Sequence, residues 1–209
     1  VTHVDRVSTG IRMLDRHLDG GLRPGSLTSL VASPASQVNP LFYEFMEDRS
    51  WLYLSTYRST RAVEEELDEL LWGDVEVAHV GVDRPARRIK EAIGNMTGER
   101  HVIVDPMTPV EANTSTGQYV DLLNGLKDYL LDTGCIALLY CTEQETVPDR
   151  RETTLTMADV VWELDVVVES KGIETRLTVP KYRSRRAIDE VIKLDLGQKA
   201  VVDASKNIA

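Results

Sequence analysis

The chain has 209 residues, with 34 acidic side chains set against 24 lysines and arginines, a formal net charge of −10 and a pI near 4.9. That length suits one compact domain with a sizeable core, and the negative charge repels phosphate, which argues against non-specific nucleic-acid binding. No apolar run approaches the ~20 residues that span a bilayer, and nothing resembles a signal peptide, so the expectation is a cytoplasmic protein without a membrane segment. Lysine is scarce beside arginine, and this acidic balance fits a halophilic source, the plainer alternative being an ordinary acidic cytosolic protein. The two cysteines, Cys135 and Cys141, lie on one apolar stretch. As a strand it separates them by roughly 20 Å at ~3.3 Å per residue, too far for a disulfide. Neither has a histidine at ligand spacing, so no zinc or other metal is expected. His3, His17, His79 and His101 show no pairing that carries chemistry.

In chain order, Ile11, Leu14 and Leu18 recur at helical spacing and predict an amphipathic helix over residues 8–19, stopped by Gly20 and Gly21. Residues 27–32 read as a buried strand, 41–48 as a short helix and 51–55 as a second strand. A helix over 61–72 would bury Val63, Leu67, Leu70 and Leu71. Residues 75–80 predict a strand, 85–96 a helix, and 101–105 a strand of apolar residues closing on Asp105. A helix over 119–132 and a strand over 135–141 follow. This alternation predicts a parallel sheet covered on both faces. Beyond Asp159 the texture changes to consecutive strands over 160–169, 173–181 and 191–196, joined by Ser170-Lys171-Gly172 and a basic turn.

Before the first strand stand Arg6-Val7-Ser8-Thr9-Gly10-Ile11, then Leu14-Asp15, Leu18-Asp19-Gly20-Gly21-Leu22 and Pro24-Gly25-Ser26. This series resembles the opening of the KaiC/GvpD/RadA-like branch of the RecA superfamily, of haloarchaeal type. The resemblance covers nearly the whole chain, although residues 61–100 are generic. It implies an α/β, RecA-like P-loop NTPase fold over residues 1–209 as a single domain: a mostly parallel central sheet, helices on both faces and a C-terminal β-hairpin. It also places a phosphate-binding loop, G-x-x-x-x-G-K-[ST], between the first strand and the next helix. In such a loop glycines let backbone N–H groups curl around phosphate, the lysine neutralises charge and the hydroxyl holds Mg²⁺. Here the stretch reads Ala32-Ser33-Pro34-Ala35-Ser36-Gln37-Val38-Asn39. Laid on the pattern from Gly25 without gaps, Ala32 and Gln37 fall on the glycines, Val38 on the lysine and Asn39 on the Ser/Thr. The loop is degenerate, and no cofactor is expected.

The other chemical positions agree. Tyr57-Arg58 stands where active relatives carry a pair of water-activating glutamates, so no general base is found there. Glu64, Glu65 and Glu66 downstream read as a solvated helix face. Asp105 matches the acid that orders the metal shell in relatives, and Thr108 fits the sequence that follows, with Pro106 in place of a serine. Without a nucleotide, Asp105 is expected to be structural, accepting hydrogen bonds from the empty loop. Thr142-Glu143-Gln144 stands at a short polar sensor sequence. Lys181-Tyr182-Arg183 resembles the K-x-R pair that reaches a neighbouring subunit's γ-phosphate, and Arg185 and Arg186 extend this basic cluster; the alternative is a solvated turn. The resemblance therefore implies a catalytically inactive relative that works through a protein partner, either an active KaiC-like ATPase or a second copy, with Lys181 and Arg183 facing it. Two alternatives stand beside this reading: an ATP-binding or ATP-hydrolysing protein with an unconventional loop, and an accessory protein in DNA recombination or repair.

Overall fold

The computed structural model describes residues 6–36, 38–47, 49–70, 73–169, 172–183 and 188–194. Its elements run α1 (Arg12–His17), β1 (Leu27–Ala32), α2 (Val38–Met46), β2 (Ser50–Ser55), α3 (Thr60–Leu70), β3 (Asp74–His79), α4 (Pro85–Asn95), β4 (His101–Asp105), α5 (Thr108–Ala112), α6 (Thr116–Thr133), β5 (Ala137–Thr142), α7 (Arg151–Met157), β6 (Val160–Glu169), β7 (Gly172–Tyr182) and β8 (Ile188–Leu194). One eight-stranded sheet has the order β3-β2-β4-β5-β1-β6-β7-β8. The strands from β3 to β6 pair in parallel, and β6, β7 and β8 pair antiparallel.

Apolar side chains cover the sheet on both faces. Leu14 and Leu18, with Leu41, Phe42 and Phe45 of α2 and Val63 and Leu67 of α3, pack on one face against Tyr53, Ile103, Leu138 and Trp162. Ile89 of α4, with Tyr119, Leu122, Leu123 and Leu126 of α6, packs on the other against Leu52, Val102, Val104 and Leu139. Because both faces are covered, the central strands are continuous apolar runs rather than alternating ones; β5 is buried at all six positions. Among the described residues no helix is long and apolar enough to cross a membrane.

The elements depart from the sequence expectation in specific places. The first helix has six residues, because the Asp15 carboxylate accepts the Ser8 hydroxyl and the Thr9 N–H and holds the preceding segment in a turn. Gly10 in that turn has φ +79°, and a Cβ there would lie 2.3 Å from the Glu44 carbonyl oxygen. Helix α2 starts at Val38 rather than residue 41, with Pro40 in its first turn, where a missing N–H is tolerated. Helices α5 and α7 have five and seven residues, too few to leave a periodic signature. Cys135 precedes β5, and both cysteines are buried and free. The expected positions 48, 71, 72, 170, 171, 195 and 196 lie outside the described residues.

One half-buried histidine makes the fold sensitive to acid. His101 Nδ1 accepts the Ile136 N–H at 3.0 Å, and its ring stacks at a tilt on Trp51, with centroids 4.8 Å apart. Burial, and then the charge of Arg49, lower its pKa to about 4. The unfolded chain takes up this proton near pH 6.5 and the folded chain only near 4, so stability is lost as pH falls through that window. The expected loss reaches on the order of 3 kcal/mol. Urea unfolding of the parent and of His101→Asn across pH 7 to 4 checks this. The variant should show a flatter dependence, and identical slopes would count against the assignment.

Candidate functional site

Strand β1 ends at Ala32, and the connection to α2 closes on itself. The Ala35 N–H donates to Ser33 Oγ at 3.3 Å, and the Ser36 N–H to the Ser33 carbonyl at 2.9 Å. The Ser36 hydroxyl and the Tyr140 hydroxyl donate to the same carbonyl at 2.6 and 3.3 Å. Two backbone donors of the kind a phosphate loop aims at its ligand are thus satisfied by the loop's own oxygens. Val38, which the sequence resemblance aligns with a loop lysine, is 3 % exposed and belongs to the core with the fully buried Ala32. Gln37 lies outside the described residues.

Behind the loop the chain supplies its own cation. Arg58 follows β2 in a tight turn in which Ser55 Oγ accepts the Arg58 N–H at 3.0 Å and donates to the Arg58 carbonyl at 2.8 Å. One guanidinium nitrogen pairs with Glu66. The other donates to the Tyr53 hydroxyl at 2.8 Å and to Asp105 Oδ2 at 3.0 Å. Tyr53 donates to the same Asp105 oxygen. The Asn39 amide donates to Glu66 Oε1 at 3.0 Å, and the Tyr43 hydroxyl bonds that oxygen too. Burial first, then the neighbouring carboxylates, push both tyrosines well above the ordinary phenol range. Burial opposes the charge of Arg58, but Tyr53, Asp105 and Glu66 outweigh it and hold the guanidinium firmly protonated.

Two expectations are corrected here. Glu64 and Glu65 are exposed, but Glu66 is half-buried and bonded to Asn39, Tyr43 and Arg58, so it is no part of a solvated face. It lies three residues after Val63 and one before Leu67, both buried, which was the available signal. Asp105 accepts hydrogen bonds from Tyr53 and Arg58 rather than from the loop, because β2 and β4 pair with Ser55 opposite Asp105 and the loop donors are turned inward.

Over residues 6–209 the sequence matches a family of unknown function, DUF7125. The chain belongs to that family. No curated protein matches it. Among solved structures it is similar to a KaiC-like protein of the hyperthermophilic archaeon Pyrococcus horikoshii, with a TM-score of 0.71 at 16 % identity, covering 93 % of this chain and 96 % of that one. At that identity the likeness shows the fold: this DUF7125 chain has the KaiC-like RecA architecture, a mostly parallel α/β sheet with P-loop NTPase topology.

Two further groups of polar residues flank this frame. Thr108 Oγ1 accepts the Thr142 N–H at 2.9 Å and the Thr142 hydroxyl at 2.8 Å. Beside them lies a buried ion pair that the sequence did not reveal. Arg151 Nη2 stands 2.8 Å from Glu111 Oε2, and Arg151 Nε lies 2.9 Å from both carboxylate oxygens. Burial and then Glu111 push the neighbouring Cys141 thiol up to about 12, so it is inert as a nucleophile at neutral pH.

Lys181 and Arg183 sit at the other end of the sheet. Lys181 is level with Val161 and Ser29, near the start of β1 and away from the Ser33 loop. Lys181 Nζ donates to the carbonyls of Leu155 and Thr156 at 2.6 and 2.9 Å. Arg183 donates to the Thr156 carbonyl at 2.8 Å and pairs with Asp159 at 3.3 Å. Both cations cap the C-terminal carbonyls of α7, where positive charge is favoured. Arg183 remains exposed and Lys181 half-buried. Arg185 and Arg186 lie outside the described residues.

Proposed function

We propose that this DUF7125 protein is a non-catalytic RecA/KaiC-like domain that regulates or assembles protein partners and neither holds nor hydrolyses ATP. The observation that carries the reading is Arg58, bonded to both Glu66 and Asp105 where active relatives carry the water-activating glutamates. A guanidinium there cannot act as a base, and it neutralises the acid that would order a metal shell. The inward-turned loop and the buried Val38 act in the same direction. Each charge-assisted contact to a triphosphate that is lost weakens binding by about 1.5–3 kcal/mol, and several are lost together. Titration calorimetry with Mg-ATP is expected to show no binding in the micromolar range, and a phosphate-release assay no turnover above buffer. Micromolar affinity at working salt would overturn the proposal.

The partner in this reading is an active KaiC-like ATPase or a second copy of the chain. Lys181 and Arg183 are the residues assigned to face it. They lie away from the Ser33 loop of their own chain, and Arg183 is exposed, which supports that assignment. The net charge of −10 supports a protein partner over nucleic acid, and a halophilic origin.

A further inference from the structure

A local departure from this acidic composition lies where α4 begins, close to the start of α6. Arg84, Arg87, Arg88 and Lys90 fall within seven residues, and their nearest acids are Asp83 and Glu91. Arg84, Arg87 and Lys90 line a cavity of about 430 Å³ together with Asn113, Thr114 and Gln118. That size suits a small molecule. Helix α4 follows the parallel strand β3, and α6 follows β4 after the short α5, so both start at the carboxyl end of the sheet, where ligands of open α/β folds bind. Neither helix carries an acid in its first turn, and neither has a side-chain cap. Two positive dipole ends therefore meet the cations at a cavity with no carboxylate among its lining residues.

The existing partners of these groups are weak or missing. Arg84 pairs with Asp83 at 3.4 Å and Arg87 with Glu91 at 2.7 Å, both at the exposed surface, where such pairs contribute little. Lys90 has no ion pair among the described residues. The Ser115 hydroxyl donates to the side-chain oxygen Oε1 of Gln118 at 3.1 Å, which leaves the Gln118 NH₂ free to donate. Thr114, which lines the cavity, is only 6 % exposed, and its hydroxyl is a buried polar atom with no hydrogen-bond partner. A buried hydroxyl without a partner is costly, and a ligand's phosphate oxygen would satisfy it.

We propose that this cavity binds a small phosphate-bearing ligand. The cations and helix ends hold the phosphate, and Ala86 with the arginine and lysine stems receives a compact organic body. The size of the cavity and the charge of −10 elsewhere favour a small anion over a nucleic-acid strand. The site is separate from the β1–α2 loop, so the outcome with ATP does not decide it.

Titration calorimetry with inorganic pyrophosphate tests the proposal on the parent, on Arg87→Glu/Lys90→Glu, and on Arg12→Glu/Arg16→Glu. The last pair lies on exposed positions of α1 and makes the same change in net charge. Pyrophosphate should bind the parent and the α1 variant equally, and the cavity variant at least about tenfold more weakly. Thr114→Val, which keeps the shape and removes the hydroxyl, should also weaken it. If the double cavity variant does not fold, Lys90→Ala and Gln118→Ala carry the same comparison. Absence of binding to the parent overturns the site. So does equal binding by the cavity variant, or displacement of pyrophosphate by a short single-stranded oligonucleotide that binds more tightly.

Discussion

Arg151→Ala is expected to destabilise the fold by about 3–5 kcal/mol, the cost of leaving one member of a buried ion pair alone. The Glu111 side chain is fully buried and that of Arg151 is 7 % exposed, so water cannot replace the missing partner. The pair is satisfied on all sides. Glu111 also accepts the Thr154 hydroxyl, which accepts the Tyr119 hydroxyl at 2.6 Å. Arg151 also donates to Thr108 Oγ1 at 3.3 Å and to the Thr142 carbonyl at 3.2 Å. Removing the guanidinium therefore loosens α5, α7 and the end of β5 together. Glu111→Leu/Arg151→Met should cost less than Arg151→Ala, because no charge is then stranded. Urea unfolding at neutral pH measures both. A single variant within about 1 kcal/mol of the parent would show that the pair does not hold these elements.

The second large effect is expected at Arg58. Arg58→Ala removes one cation from two carboxylates, and Asp105 is the more buried of them, its side chain 10 % exposed. Hydrogen bonds to charged groups contribute about 1.5–3 kcal/mol each. The Arg58 side chain is 33 % exposed, which screens part of that. A loss of about 2–3 kcal/mol is the expected result. Arg58→Lys should recover only a small part, since an ammonium is a point charge and cannot span Glu66, Tyr53 and Asp105 as a planar fork does. Thermal melts of parent, alanine and lysine variants decide it. Full recovery by lysine would mean that charge alone matters and the bridging geometry does not. Neither variant should gain ATPase activity, because Val38 and the inward-turned loop are unchanged.

The sequence by itself determined the strands and the absence of glycine and lysine from residues 32–39. Parallel strands buried on both faces must be continuous apolar runs, so β1, β4 and β5 were legible, and so was the antiparallel ending over β6 and β7. Val38, where the resemblance would set a lysine, carries no charge, and this too is legible in the sequence. What only the tertiary structure decided is which charges meet. Arg58 is 47 residues from Asp105 and 8 from Glu66, and strand order with helix placement makes them one network. Glu111 and Arg151 lie on helices too short to show a period and are joined across 40 residues. Lys181 and Arg183 resemble a partner-facing pair in the sequence, and only the tertiary structure shows that their side chains also cap the end of α7. The cavity between α4 and α6 likewise joins residues that the sequence keeps apart. Periodicity is local and reports which side of an element is buried. A charged side chain takes its role from what lies within about 3 Å of it, and long-range pairing of the sheet sets that distance.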